Sequence, residues 1–369
     1  MLVPGVLSDL STSLQIPVGT VGQLISAGAL LMCIGAPLCA TLVAGWDRRR
    51  LLSLTMLWYG ALHLLCVVMP NFGALLPVRV LAMVAPAIFT PQAAACVGLL
   101  VPPEQRGRAI TMIFMGWSIA SVLGLPLSAW VGGHLGWRTA FAMVGVLAVI
   151  SAAWVWRTMP DGVKPPALTR AAWAQALRSR PLMICIAVTV LSSAGQFVLF
   201  SYIAPYYKAT LGIGADGLGL LLLWFGVFGF AGNWIMSYYI DRVGAARSVM
   251  AGIACMAVSF LLWPLGTTLA LAMLVTVPWA LGCFASNSAQ QARLVGLAPA
   301  LAGGSIALNT SAMYAGQAVG AASGGWLLGL GQMNQLHWYG LIMLLLAMIA
   351  SAWASRHSHA SKHSAGALA

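Results

Sequence analysis

The sequence predicts an all-α polytopic membrane protein made of two bundles of helices, and three observations predict it. Of the 369 residues, 61% are apolar and only 7% charged. The apolar residues fall into eleven runs long enough to cross a bilayer, and nearly all the basic residues lie at alternate connections between them. A soluble domain of this length would carry roughly a quarter charged residues, so most of this surface does not face water.

A membrane helix needs about 20 apolar residues. Breaks at charge clusters and at Pro/Gly turns delimit the runs 18–44, 51–69, 74–101, 109–131, 137–156, 181–206, 217–240, 246–264, 267–290, 303–329 and 336–354. The opening Met1–Asp9 is too short to cross but reads as the tail of a further helix. With that helix restored, the plan is six helices, a linker and six helices. The expected domains are a first bundle over 1–157, a polar linker over 158–180, a second bundle over 181–355 and a tail over 356–369. The linker carries Pro160, Pro165, Pro166, Asp161, Lys164, Arg170, Arg178 and Arg180.

Charge gives the orientation. Of the 18 Lys and Arg residues, all but Arg79, Arg138 and Lys208 fall on one side of the membrane, from Arg48–Arg50 through Arg106, Arg108 and Arg157 to Arg242, Arg247, Arg293 and Arg356. Such bias marks the cytoplasmic side and explains the net charge of +12 without an acidic partner. No basic stripe with interleaved aromatics marks a nucleic-acid surface. The seven cysteines all sit in apolar runs, as packing residues rather than a disulfide or zinc framework. No phosphate-binding Gly-x-x-x-x-Gly-Lys-Ser/Thr loop occurs, which argues against a primary pump. No cluster of catalytic or metal-ligating side chains points to an enzyme or a cofactor, and Met1–Leu7 has no basic stretch of the kind a cleaved leader carries.

An internal repeat links the halves. Gly35-Ala-Pro-Leu-Cys-Ala-Thr-Leu-Val-Ala-Gly-Trp-Asp47-Arg48-Arg49-Arg50 ends one helix, and Gly232-Asn-Trp-Ile-Met-Ser-Tyr-Tyr-Ile-Asp241-Arg242-Val-Gly244-Ala-Ala-Arg247 ends another, at an offset of 197. Two parallel halves around a midplane site are a recurring transporter plan. At these residues the chain resembles the major facilitator superfamily, in its drug:proton antiporter and arabinose (sugar) efflux permease-like branch. Asp241-Arg242-Val243-Gly244 looks like the signature between the family's eighth and ninth helices. The first-half copy departs from it, with Ala44 where an aspartate is usual and Asp47 three residues on. Arg79 matches an arginine on the family's fourth helix. Gly116 through Gly124, Pro126 and Gly132-Gly133 resembles the antiporter motif on the fifth. Gly136-Trp137-Arg138, Ser201–Pro205 and Asn309-Thr310 through Gly324-Gly325 also look like this branch.

The resemblance implies the major facilitator fold and a coupled transporter acting by alternating access, as a monomer in a bacterial inner membrane with its C-terminus cytoplasmic. Its partners would be a small-molecule substrate, protons and the lipid bilayer, with no nucleic acid and the proton gradient in place of a cofactor. Export of a drug-, sugar- or amino-acid-like molecule is the expected function. Uptake by a symporter or facilitator of the same fold, and a truncated non-transporting protein, are the alternatives. Asp47, Arg48, Asp241 and Arg242 suit a gate at helix ends, where a charge contact can form in one state and release in the other; they also stop helices and obey the charge rule. Gly124 and Pro126 suit a bend in a small-residue seam. Arg79 is the one strong charge placed to lie within the membrane, for coupling to protons or for an anionic group, or else snorkelling. His63 is read as a packed neutral histidine, and the His-bearing tail as a solvated basic end. Polar and aromatic residues expected to turn inward are Gln92, Gln196, Tyr202, Tyr206, Trp224, Asn287, Gln290, Asn309, Tyr314 and Gln317. Each can equally bond a neighbouring helix.

Overall fold

The computed structural model describes residues 2–43, 45–100, 119–164, 174–175, 177–298 and 302–366. Among them the first half comprises α1 (Leu2–Leu14), α2 (Val18–Val21), α3 (Gln23–Leu42), α4 (Arg48–Val67), α5 (Phe72–Ala82), α6 (Val84–Leu100), a π-helical turn (Ala120–Gly124), α7 (Leu125–Leu135) and α8 (Trp137–Thr158). The second half comprises α9 (Arg180–Phe200), α10 (Ile203–Leu211), α11 (Ala215–Val243), α12 (Ala245–Leu262), α13 (Leu269–Leu297), α14 (Ala302–Gly329) and α15 (Leu336–Gly366). Nine helices among the described residues are long and apolar enough to span a membrane. Two further expected runs are the 28-residue α14 and the run 109–131, described from residue 119 on. Glu104, Arg106, Arg108, Gly116, Trp117 and Arg170 lie outside the described residues.

Proline explains where the expected runs break. The run 74–101 divides at Met83, and the run 181–206 at Ser201-Tyr202. Pro86 and Pro205 have no N–H to return to the carbonyls of Ala82 and Ser201, so each helix is re-started there. Pro126 likewise leaves the Val122 carbonyl without its i+4 donor. That carbonyl lies in the π-helical turn, which absorbs the lost bond by widening the helix. Side-chain caps start three helices: Asp47 accepts from Arg50 N, Asn71 from Ala74 N and Thr268 from Leu271 N. Single glycines, Gly136 (φ +84) and Gly244 (φ +88), join α7 to α8 and α11 to α12. Only glycine takes that backbone without strain, so Gly244 in the repeated motif and Gly136 before Trp137-Arg138 are both turn-makers.

Helices pack chiefly within their own half. In the first, α4 lies on α8 and α6, and α3 on α6 and α5; in the second, α9 lies on α14 and α15, and α13 on α12 and α11. Glycines allow the close approach: a Cβ on Gly320 would come within 2.5 Å of the Ala194 carbonyl, and one on Gly324 within 2.6 Å of the Val198 carbonyl. The second half is filled by an edge-to-face cluster in which Trp279 meets Phe225 and Phe260, each at 5.0 Å between ring centres. Three arginines also hold helices. Arg138 donates to the Val67 and Met69 carbonyls at the end of α4 and stacks over Trp137. Arg48 is buried and donates to the Val43 and Trp46 carbonyls. Arg293, expected among the loop charges, is instead buried and donates to Ser351 Oγ, the Ser351 carbonyl and Ser355 Oγ on α15.

Candidate functional site

The helix ends bearing Arg48–Arg50, Arg242 and Arg247 define a basic face of the molecule. The two halves meet principally through α3 with α14, through α7 and its π turn with α11, and through α1 with α10. The close approaches lie toward the face opposite the basic one. A Cβ on Gly19 would stand 2.6 Å from the Gly325 carbonyl, and one on Gly22 would overlap Tyr202 Oη. Gly133 abuts Ala215, and Gly226 abuts Val122. His134 Nε2 of α7 reaches Asp216 Oδ1 of α11 at 3.5 Å. Tyr202 is fully buried in this seam and donates to the Ala321 carbonyl at 2.7 Å.

On the basic side of the seam lies a cavity of about 330 Å³ whose wall is shared by both halves. α3 contributes Leu24, Gly28 and Met32, and α5 with the break after it contributes Arg79 and Met83. From across the cleft come Gln196 on α9, Asn287 and Gln290 on α13, and Tyr314 and Gln317 on α14. Val249 extends the wall to within about a turn of the basic end of α12. Six of the expected residues are therefore brought together: Arg79, Gln196, Asn287, Gln290, Tyr314 and Gln317.

Arg79 is 5% exposed. Nη1 contacts Met83 Sδ at 3.2 Å, and Nε has no hydrogen-bond partner. No carboxylate lines the cavity among the described residues. Snorkelling, the alternative expectation, does not fit a side chain so enclosed. Beside it His63 is fully buried, bonded through Nδ1 to the Tyr59 carbonyl and stacked near Phe141. Across the cleft, Gln290 Nε2 lies 2.6 Å from the Cys185 carbonyl, while Oε1 is buried without a partner. Thr189 Oγ1 bonds Asn309 Oδ1 at 2.6 Å. Thr189, Ser193 and Ser286, which are not among the expected residues, line the same wall. Their small hydroxyls are common in membrane helices as internal helix bonds, so nothing in the sequence set them apart.

Five expected cavity residues stand elsewhere, and four of them meet another partner. Tyr202 belongs to the seam. Tyr206 packs against Tyr207 and Trp263. Trp224 Nε1 donates to the Met273 carbonyl at 2.9 Å. Gln92 is buried on α6 away from the cavity wall, and Asn309 lies behind Thr189. Gly124 closes the π turn with nothing near its Cβ position, and Ser128 Oγ donates to its carbonyl. Pro126 is buried beside it.

At the basic face Asp47 forms a clasp within the first half. Its Oδ1 accepts from Arg50 N, and its Oδ2 from Gly162 N at 2.6 Å. Arg48 N donates to the Val163 carbonyl, and Arg49 pairs with Asp161 and stacks on Trp156. Burial works against the Asp47 charge. The backbone N–H groups of Arg50, Gly162 and Arg49, with the Arg50 charge, outweigh it and hold the carboxyl below its ordinary range. In the second half Arg242 is exposed over the Tyr238 ring. Asp241 ends the same helix, and its side chain lies outside the described residues.

The sequence profile described as Major Facilitator Superfamily matches residues 1–321 and 186–368. A chloramphenicol resistance protein of Streptomyces lividans is 33% identical over 285 residues, spanning 76% of this chain and 70% of its own. A purine ribonucleoside efflux pump of Salmonella typhimurium is 28% identical over 360 residues, spanning 94% and 87%. Among solved structures, a bacterial homolog of the human lysosomal transporter Spinster, inward-facing and unoccupied, superposes with a TM-score of 0.75 at 16% identity over 96% of this chain and 93% of that one.

Proposed function

The chain belongs to the major facilitator superfamily of transporters, and from that premise we propose that it exports a small organic molecule across a bacterial inner membrane in exchange for protons. The observation that carries this reading is the cavity shared by both halves, with the close glycine contacts between them, among the described residues, on one side of it. Residues 1–157 and 181–355 are the two units that rock. The 158–180 segment is the cytoplasmic linker, and 356–369 is a cytoplasmic tail. With the basic face cytoplasmic, the seam of Gly19, Gly133, Tyr202 and Gly325 closes the outer side, and the cavity loads from within.

Each site residue has a part in this cycle. Gln196, Asn287, Gln290, Tyr314 and Gln317 contact the substrate. Arg79 couples, because its buried charge makes the empty and filled cavities electrostatically different. Asp47 and Arg48 brace the first half at the basic face, Asp241 and Arg242 do so in the second, and Gly124 and Pro126 give the α7 segment its hinge. In exchange, substrate and proton each disfavour the other's occupancy, so each expels the other. The names of the two sequence relatives support export over uptake.

The test expresses the full chain in a bacterium lacking its own efflux pumps and follows retention of radiolabelled chloramphenicol and inosine. Retention of at least one should fall several-fold and recover when a protonophore is added. Protonophore-sensitive accumulation above the control strain would assign uptake instead, and unchanged retention of both would count against export.

A further inference from the structure

The two walls of the cavity differ in kind. The second-half wall carries three carboxamides, Gln196 on α9, Asn287 on α13 and Gln317 on α14. Each is half-buried, makes no hydrogen bond to any described residue, and keeps its amide atoms accessible, unlike Gln290 Oε1. They stand at similar depth. Asn287 lies one turn from Gln290, which bonds the Cys185 carbonyl, and Gln317 follows Gly316, which packs on Val190, Ser193 and Ala194. All three therefore fall within about two turns of one another along α9. A carboxamide carries no charge and holds an acceptor and a donor side by side in one plane. Half-buried and unpaired, each favours an occupant that returns both bonds. Opposite them the first-half wall is chiefly apolar, with Leu24, Met32, Met83 and Pro86, and its Arg79 is enclosed.

From this division we propose that the cavity selects a planar molecule with an amide-type edge, an N–H donor fixed beside a C=O acceptor as in a lactam. A carboxamide pairs with such an edge through two parallel hydrogen bonds, as Asn and Gln do with the donor–acceptor edge of a base. The flat face of the ligand then lies along Met32 and Met83, whose thioethers make favourable contacts with an aromatic ring. A polyol matches the carboxamides but buries its remaining hydroxyls against the apolar wall without partners, which is costly. An organic cation finds no carboxylate in the described lining. Selectivity for the ligand edge thus resides in the second half, and the first half supplies the surface on which the ring rests. This inference rests on the cavity being the transport site, but its test reads binding and does not need flux.

The probes are quinolin-2(1H)-one, its N-methyl derivative, which keeps the ring and carbonyl and loses the donor, N-methylquinolinium and myo-inositol. Each is titrated against the detergent-solubilised full chain while the thermal midpoint is followed. The lactam should bind at least about fivefold more tightly than the N-methyl lactam, the scale of one hydrogen bond lost with its partner left unpaired, and the cation and the polyol should not bind. Gln196→Leu, Asn287→Leu and Gln317→Leu are made singly and together. At least one single variant should bind the two lactams alike, and the triple variant should show no preference. Gln92→Leu, away from the cavity wall, should keep the parent's preference. The single variants read the same outcome if the triple variant does not fold. The proposal is overturned if the parent binds neither lactam, if it binds both alike, if the cation or the polyol binds more tightly than the lactam, or if the preference survives all three single substitutions. Discrimination between the lactams without any flux would leave this proposal standing and remove the transport reading; protonophore-sensitive export without that discrimination would do the reverse.

Discussion

Asp47 ties together backbone that the sequence keeps more than a hundred residues apart. One oxygen caps α4, and the other takes the Gly162 N–H beyond the end of α8. Its carboxyl is held below the ordinary range, so the contact stabilises at neutral pH. It persists as pH falls through the free carboxylate value of about 3.9, and is lost only when the lowered native value is reached. Asp47→Ala should lower stability by roughly 1 kcal/mol, the usual effect of losing an N-cap. Asp47→Asn, which can still cap, should lose less. Thermal midpoints of the two variants at neutral pH check this, and equal midpoints for parent and Asp47→Ala would remove the clasp. The same residue marks what the sequence could tell. The sequence placed it in a motif that ends a helix, whereas it caps the start of the next one; its second partner was not legible, because that bond is made across the fold. Polarity in a membrane helix reports that a side chain needs a partner without saying which. Gln196 and Gln317 turned to the cavity, whereas Tyr202 and Trp224 found main-chain carbonyls on other helices.

At the scale of elements, the helices were legible because hydropathy and proline are local signals. The π turn was not: Pro126 announces a missing hydrogen bond without saying whether the helix kinks or widens, and the widened turn lies where Val122 abuts Gly226 of α11. The small-residue stripes divide in a way the sequence could not specify. Gly320 and Gly324 pack inside the second half, while Gly19, Gly133 and Gly226 form the seam between halves. Gly19 is the sharpest case, because the obstacle to a side chain there is the Gly325 backbone itself. Gly19→Val should therefore prevent the seam from closing. Val21 is fully buried nearby, and a cysteine in its place reports on closure. In a Val21→Cys background a membrane-impermeant maleimide should react slowly, and several-fold faster once Gly19→Val is added. Unchanged labelling, scored against the parent chain with its native cysteines, would mean that the glycine contact does not control closure.

For the whole molecule, the repeat that superposes Gly35 on Gly232 and Arg50 on Arg247 at an offset of 197 pointed to two halves, although Asp47 stands three residues past the place of Asp241. The cavity could not be read the same way, since its walls join α3 and α5 to α9, α13 and α14 and exist only once the halves dock. The central claim is that these halves rock about that cavity, with the seam and the basic face opening in alternation. Paired spin labels measure it most directly: one pair at Leu135 and Thr210 beside the seam, the other at Arg50 and Arg247 on the basic face, all four exposed. When substrate is added in lipid under a proton gradient, the account predicts that the first distance lengthens while the second shortens. Two distances that stay fixed, or that lengthen together, would contradict it.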